Sequence, residues 1–141
     1  MREVRSIRFV LAAALLASAA LAGCGGSLRY VSPGTSMAPD ANALIVADVD
    51  RGTSTTQLNL KVERLPPPDR FGGTSFVAWA RPEGDDWRRV GELSYDAVMQ
   101  RGELFGASIS RTSFDLVISA EGDEYTMAPS PVVVISQDIS D

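Results

Sequence analysis

Gln57-Leu58-Asn59-Leu60-Lys61-Val62-Glu63 alternates polar and apolar side chains without a break. Successive side chains of an extended chain point to opposite faces, so Leu58, Leu60 and Val62 share one face of a strand and the polar groups take the other. Working outward, apolar-rich runs of strand length follow at 44–49, 75–80, 87–93, 103–109, 114–120 and 132–136. Between them stand clusters that favour turns: Asp50-Arg51-Gly52, Pro66-Pro67-Pro68, Gly72-Gly73, Pro82-Glu83-Gly84-Asp85-Asp86, Glu121-Gly122-Asp123 and Pro129-Ser130-Pro131. The best helical candidate, 95–101, spans only two turns and reads better as a loop. About seven short strands with no convincing amphipathic helix predict an all-β protein, an antiparallel Ig-like β-sandwich whose two sheets bury alternate residues against each other. Trp79, central in its strand, is expected in the core and Trp87 half exposed.

The first residues read differently. Arg2, Arg5 and Arg8 precede an uncharged, Ala- and Leu-rich run from Phe9 to Ala22. That is the build of a secretory signal, and its apolar run is shorter than the roughly 18 to 20 residues of a spanning helix. It closes on Leu21-Ala22-Gly23-Cys24, which resembles the bacterial lipobox, Leu-(Ala/Ser)-(Gly/Ala)-Cys, at all four positions. The resemblance implies that Cys24 receives a thioether-linked diacylglycerol and becomes the first mature residue. Two or more acyl chains anchor a protein stably, because each buried methylene contributes about 0.8 kcal/mol. The expected organisation is a signal peptide over 1–23, lipidated Cys24 with a flexible Gly-, Ser- and Pro-rich tether over 24–42, and the sandwich over 43–141. Leu28, Tyr30 and Val31 offer an alternative early strand. Gly25 and Gly26 stand where many lipoproteins held at the inner membrane carry Asp, which favours the outer membrane in a cell that has two.

Composition removes several function classes. The net charge is −5, and −7 once residues 1–23, with three Arg and one Glu, are gone. Such a chain repels phosphate backbones, so nucleic-acid binding has no support. Histidine is absent, which excludes Ser-His-Asp and Cys-His machinery. Zinc sites of His and Cys fall with it, because Cys24 is the only cysteine and its thiol is the one lipidated. A Ser-Lys dyad has only Lys61 to use, and Lys61 lies on the polar face of its strand. Paired carboxylates remain: Asp48 with Asp50, Asp85 with Asp86, and Glu121, Asp123 and Glu124. Glycoside hydrolysis needs two such groups across a cleft, but all of these sit at predicted turns, where solvated carboxylates supporting the backbone are the plainer reading. Asp48-x-Asp50 lacks the glycine and glutamate spacing of a helix-loop-helix calcium loop; a looser calcium site at Glu121 to Glu124 is the remaining metal candidate. No cofactor is expected. Leu65-Pro66-Pro67-Pro68 reads as a stiff crossing loop rather than a docking motif, and Pro129 and Pro131 as protection for an edge strand.

The second half of the chain carries a further likeness. Phe76-Val77-Ala78-Trp79-Ala80, Gly91 with Leu93, Phe114-Asp115-Leu116-Val117-Ile118-Ser119-Ala120-Glu121 and Pro129-Ser130-Pro131-Val132-Val133-Val134 resemble the extracytoplasmic domain of the anti-sigma-K factor family. The resemblance covers residues 74–136 and implies a small β-sandwich outside the membrane, with no catalytic residues to carry over. The cytoplasmic helical region and transmembrane helix of those regulators have no counterpart here, so sigma-factor antagonism of that kind is not implied. The expectation is a noncatalytic, lipid-anchored envelope protein that binds another envelope protein or a ligand. The alternatives are a structural envelope component and a carbohydrate-active enzyme using turn carboxylates.

Overall fold

Alternation in the sequence becomes alternation of burial. In a computed structural model, which describes residues 26–122 and 126–141, Leu58, Leu60 and Val62 are fully buried while Gln57 and Asn59 face outward. The described chain forms β1 (Ser27–Pro33), β2 (Asn42–Asp50), β3 (Thr55–Glu63), a short 3-10 turn (Pro68–Phe71), β4 (Ser75–Arg81), β5 (Arg88–Glu92), β6 (Ser94–Asp96), β7 (Arg101–Ile109), β8 (Phe114–Glu121) and β9 (Val133–Ile139).

Two antiparallel sheets result, ordered β1-β2-β3-β7-β6 and β5-β4-β8-β9. Without β1 and β5, the orders β2-β3-β7-β6 and β4-β8-β9 reproduce the A-B-E-D and C-F-G sheets of an immunoglobulin sandwich. β5 adds a strand beside the C position and β1 one beside the A position. The interior is filled from both sheets, chiefly by Ile45, Leu58, Leu60, Phe76, Leu116 and Ile118. Phe76 lies edge-on to Phe71 and to Tyr95, with ring centroids 6.1 Å and 5.4 Å away. The prolines at 66–68 lie in the crossing between the sheets, as expected, and β9 after Pro129 and Pro131 is an edge strand.

The structure corrects the sequence reading in three places. Of the segment read as a tether, 24–42, the described residues 26–42 are part of the folded domain, and the early strand offered as the alternative at Leu28, Tyr30 and Val31 is present. Strand β1 pairs with β2 over seven rungs, from Ser27 opposite Asp48 to Pro33 opposite Asn42, and Ala38 and Ala41 belong to the core. What holds this polar segment is contact with distant chain. Ser32 Oγ donates to the Ser136 carbonyl at 3.2 Å, Thr35 Oγ1 to the Val133 carbonyl at 2.6 Å, and the Thr35 N–H to the Val134 carbonyl at 2.9 Å. These bonds lace the free side of β1 to β9 and close that flank of the sandwich.

The second correction adds β6, whose three residues pair with Arg101–Glu103 of β7 and whose Tyr95 and Asp96 fall in the segment 95–101 read as loop. The third concerns Trp79, which is buried as expected but not between the sheets. Phe76, Ala78 and Ala80 face the interior, and Val77 and Trp79 face the other way, forming a small outer cluster with Val117, flanked by Trp87 and Val133. Strand β8 is therefore buried on both faces, which explains its nearly unbroken apolar run.

Candidate functional site

Cys24, the residue singled out for lipid attachment, lies outside the described residues, as do Asp123 and Glu124. Gly26, two residues on, is the first described residue of this segment. The Gly26 carbonyl accepts the Val49 N–H at 3.0 Å, extending the β1–β2 ladder by one more contact. Strand β1 thus enters the sheet at the end where β2 turns into β3. The same end holds the β4–β5 turn at 82–87, the β7–β8 turn at 110–113 and Ser140-Asp141 after β9.

These turns are tied together by ion pairs. Arg51 makes a two-pronged contact with Asp141, at 2.6 Å and 2.9 Å. Asp85 meets Arg88 at 2.6 Å and Arg111 at 4.0 Å, and Arg81 meets Asp115, its partner across the β4–β8 ladder, at 3.2 Å. Arg81 also lies 4.7 Å over the Trp87 ring, a cation–π contact that shields the indole. An open cleft of about 570 Å³ runs between the β4–β5 turn and the end of β9, with Glu83, Asp85, Asp115 and Asp138 on its walls.

The carboxylates proposed for chemistry fall into separate settings. Asp50 Oδ1 accepts the N–H groups of Gly52 and Thr53, at 2.9 Å and 3.3 Å, and so supports the β2–β3 turn as an Asx turn. Asp85 accepts the Asp86 N–H, and that bond, with Arg88 beside it, holds its carboxyl below the ordinary value. A general acid of glycoside hydrolysis needs the opposite shift. Lys61 stands on the outward face of β3 with its ammonium 3.8 Å from Glu63. Among the described residues, no three Asp or Glu side chains gather where a metal ion would sit.

Glu121 departs from the solvated-turn reading. It is 3% exposed, at the end of β8. Its Oε1 accepts the Ser119 hydroxyl at 2.6 Å and the Ser130 N–H at 2.7 Å, while Ser119 Oγ accepts the Trp79 indole N–H at 3.0 Å. A buried carboxylate is stabilised by such donors, and here they join β4, β8 and the chain leading into β9. The Oε1 atom is thereby occupied as an acceptor inside the fold, which ties the first carboxylate of the candidate calcium site, Glu121 to Glu124, to structure.

The opposite end of the sandwich, where Asp40, Arg64 and Arg70 also lie, carries several exposed apolar side chains. Its loops expose Met37, Val98, Met99 and Met127, with Val98 at 91% and Met127 at 89%. None of the large exposed apolar side chains among the described residues belongs to the turns near Gly26. No described helix is long and apolar enough to cross a membrane. No protein-family model, curated protein or solved structure matches this chain.

Proposed function

We propose that this chain is a noncatalytic, lipid-anchored protein of the bacterial cell envelope whose β-sandwich acts as a binding module. The observation that carries the reading is Leu21-Ala22-Gly23-Cys24 at the close of a basic, then apolar, leader. Chemistry elsewhere in the chain supports it: histidine is absent, Lys61 is the sole lysine and sits beside Glu63, and Asp85 is held ionised by its neighbours. The exposed Met and Val side chains of the far loops supply an adaptable apolar contact surface of the sort that methionine favours. The ligand class is another envelope protein, and the likeness to the outer domain of anti-sigma-K factors supports the same extracytoplasmic role.

Mass spectrometry of the membrane-extracted protein tests the assignment. The expected species begins at Cys24 and carries a diacylglycerol adduct, and Cys24→Ser should abolish both the adduct and partition into detergent. A Cys24→Ser protein that is processed and fractionates with membranes unchanged overturns the reading.

A further inference from the structure

Strand β1 runs from its start beside the β2–β3 turn toward the opposite end of the sandwich, and Gly26 is already bonded to Val49. In the sequence, only Gly25 and Gly26 separate Cys24 from Ser27. Consecutive Cα atoms are about 3.8 Å apart, so the Cα of Cys24 lies within about 11 Å of that of Ser27. The nine-residue strands, at about 3.3 Å per residue, put the two ends of the sandwich about 30 Å apart. A lipid on Cys24 therefore reaches the surroundings of the turn end and cannot reach the far loops while β1 stays paired.

We infer that the turn end of the sandwich, built around the β2–β3, β4–β5 and β7–β8 turns, rests on the lipid headgroups and holds the Met99 and Met127 loops away from the membrane. The inference rests on acylation of Cys24. Side-chain chemistry agrees with the geometry. The turn end presents Arg51, Arg111 and paired carboxylates, groups that remain solvated among headgroups; among the described residues it carries none of the large, strongly exposed apolar side chains, and its half-buried Trp87 lies under Arg81. The apolar loops would be the natural ones to dip into a bilayer, and the short link denies them that contact. It also makes the domain's orientation a property of chain length, since each residue added between Gly26 and Ser27 would lengthen the leash by up to about 3.6 Å.

Site-directed spin labels test this on the full-length acylated protein, whose own cysteine carries lipid and leaves an introduced thiol free. Thr53→Cys at the turn end and Val98→Cys at the far end would be labelled and reconstituted in phosphatidylcholine vesicles containing a nickel-chelating lipid. Ser110→Cys and Ala97→Cys repeat the comparison should either variant fold poorly. The expected result is relaxation by headgroup nickel several-fold stronger at the turn-end label. A Gly/Ser segment of about ten residues inserted between Gly26 and Ser27 should collapse the difference, having lengthened the link by up to about 35 Å. Equal or reversed relaxation in the uninserted protein overturns the inference, as does a difference that survives the insertion. Mass spectrometry of the same samples separates the two levels: an unmodified Cys24 removes the anchoring function and the orientation together, whereas an acylated Cys24 with equal labels removes the orientation alone.

Discussion

Trp79 donates its indole N–H to Ser119 Oγ at 3.0 Å, on the outer face of the β4–β8 pair. Trp79 stands opposite Val117 in the ladder, so Ser119, two residues on, is its diagonal neighbour. Ser119 in turn donates its hydroxyl to Glu121 Oε1, which also accepts the Ser130 N–H. The large indole is thus buried by apolar neighbours and fixed in rotation by a polar chain that ends on a carboxylate.

Removing the middle of that chain should be costly. Ser119→Ala leaves the buried Trp79 N–H without this acceptor and takes one donor from Glu121, a loss of about 1–3 kcal/mol. A lowered urea midpoint with an unchanged slope is the expected outcome, together with faster hydrogen exchange at the Ser130 amide. An unaltered midpoint would mean that the outer network contributes nothing to stability.

The N-terminal boundary offers a sharper test. A mature chain starting at Gly26 should keep the folded circular dichroism spectrum and resistance to protease, whereas one starting at Ala43 should lose both. The shorter chain lacks β1 and the buried Ala38 and Ala41, and it exposes the β2 edge to pairing with other chains. Gly34→Ala addresses the same segment more gently: a Cβ there would collide with the Ala38 carbonyl oxygen. The 34–41 loop must then open, with a destabilisation of about 2 kcal/mol or more. A fully stable Gly34→Ala protein would show that the loop has no fixed packing.

Acid should loosen the turn end first. The Asp86 N–H and Arg88 hold the Asp85 carboxyl below its ordinary 3.8, and the hydrogen-bonded Arg51 does the same for Asp141. A carboxylate whose folded value is depressed binds protons less readily than in the unfolded chain. Its contribution is present in full above about pH 4 and declines as pH falls through the folded value. Asp85→Asn should melt slightly below the wild type at pH 6, with the gap closing toward pH 2. The effect is small because both ion pairs lie at the surface, where solvent screens them. A gap that widens in acid would contradict this sign.

Most of the sandwich was legible because its strands carry their own pattern. Leu58, Leu60 and Val62 declare a buried face locally, and the Gly, Pro and Asp clusters declare where the chain turns. β6 has three residues, too few for alternation to register. Trp79 was legible as buried but not as to side: β4 and β8 are apolar on both faces, so period two separates Trp79 from Phe76 without saying which of them looks inward. Glu121 read as a turn carboxylate because its partners, Ser130 and the Ser119–Trp79 pair, come together only when β4, β8 and the chain before β9 meet.

By itself the sequence determined the all-β class, most of the strand order along the chain, and the presence of a single thiol, Cys24, after a basic and then apolar run. These follow from short-range chemistry: alternation, turn propensity and a contiguous motif. Only the tertiary structure decided that Ser27–Pro33, within the supposed tether, is a strand and that 34–41 packs against the sandwich. Ser32 and Thr35 look like linker residues until their hydroxyls and backbone find carbonyls of β9, about a hundred positions away. Hydrogen bonds of that kind have no period and no local signature, and they leave Gly25 and Gly26 as the whole distance between Cys24 and the folded domain.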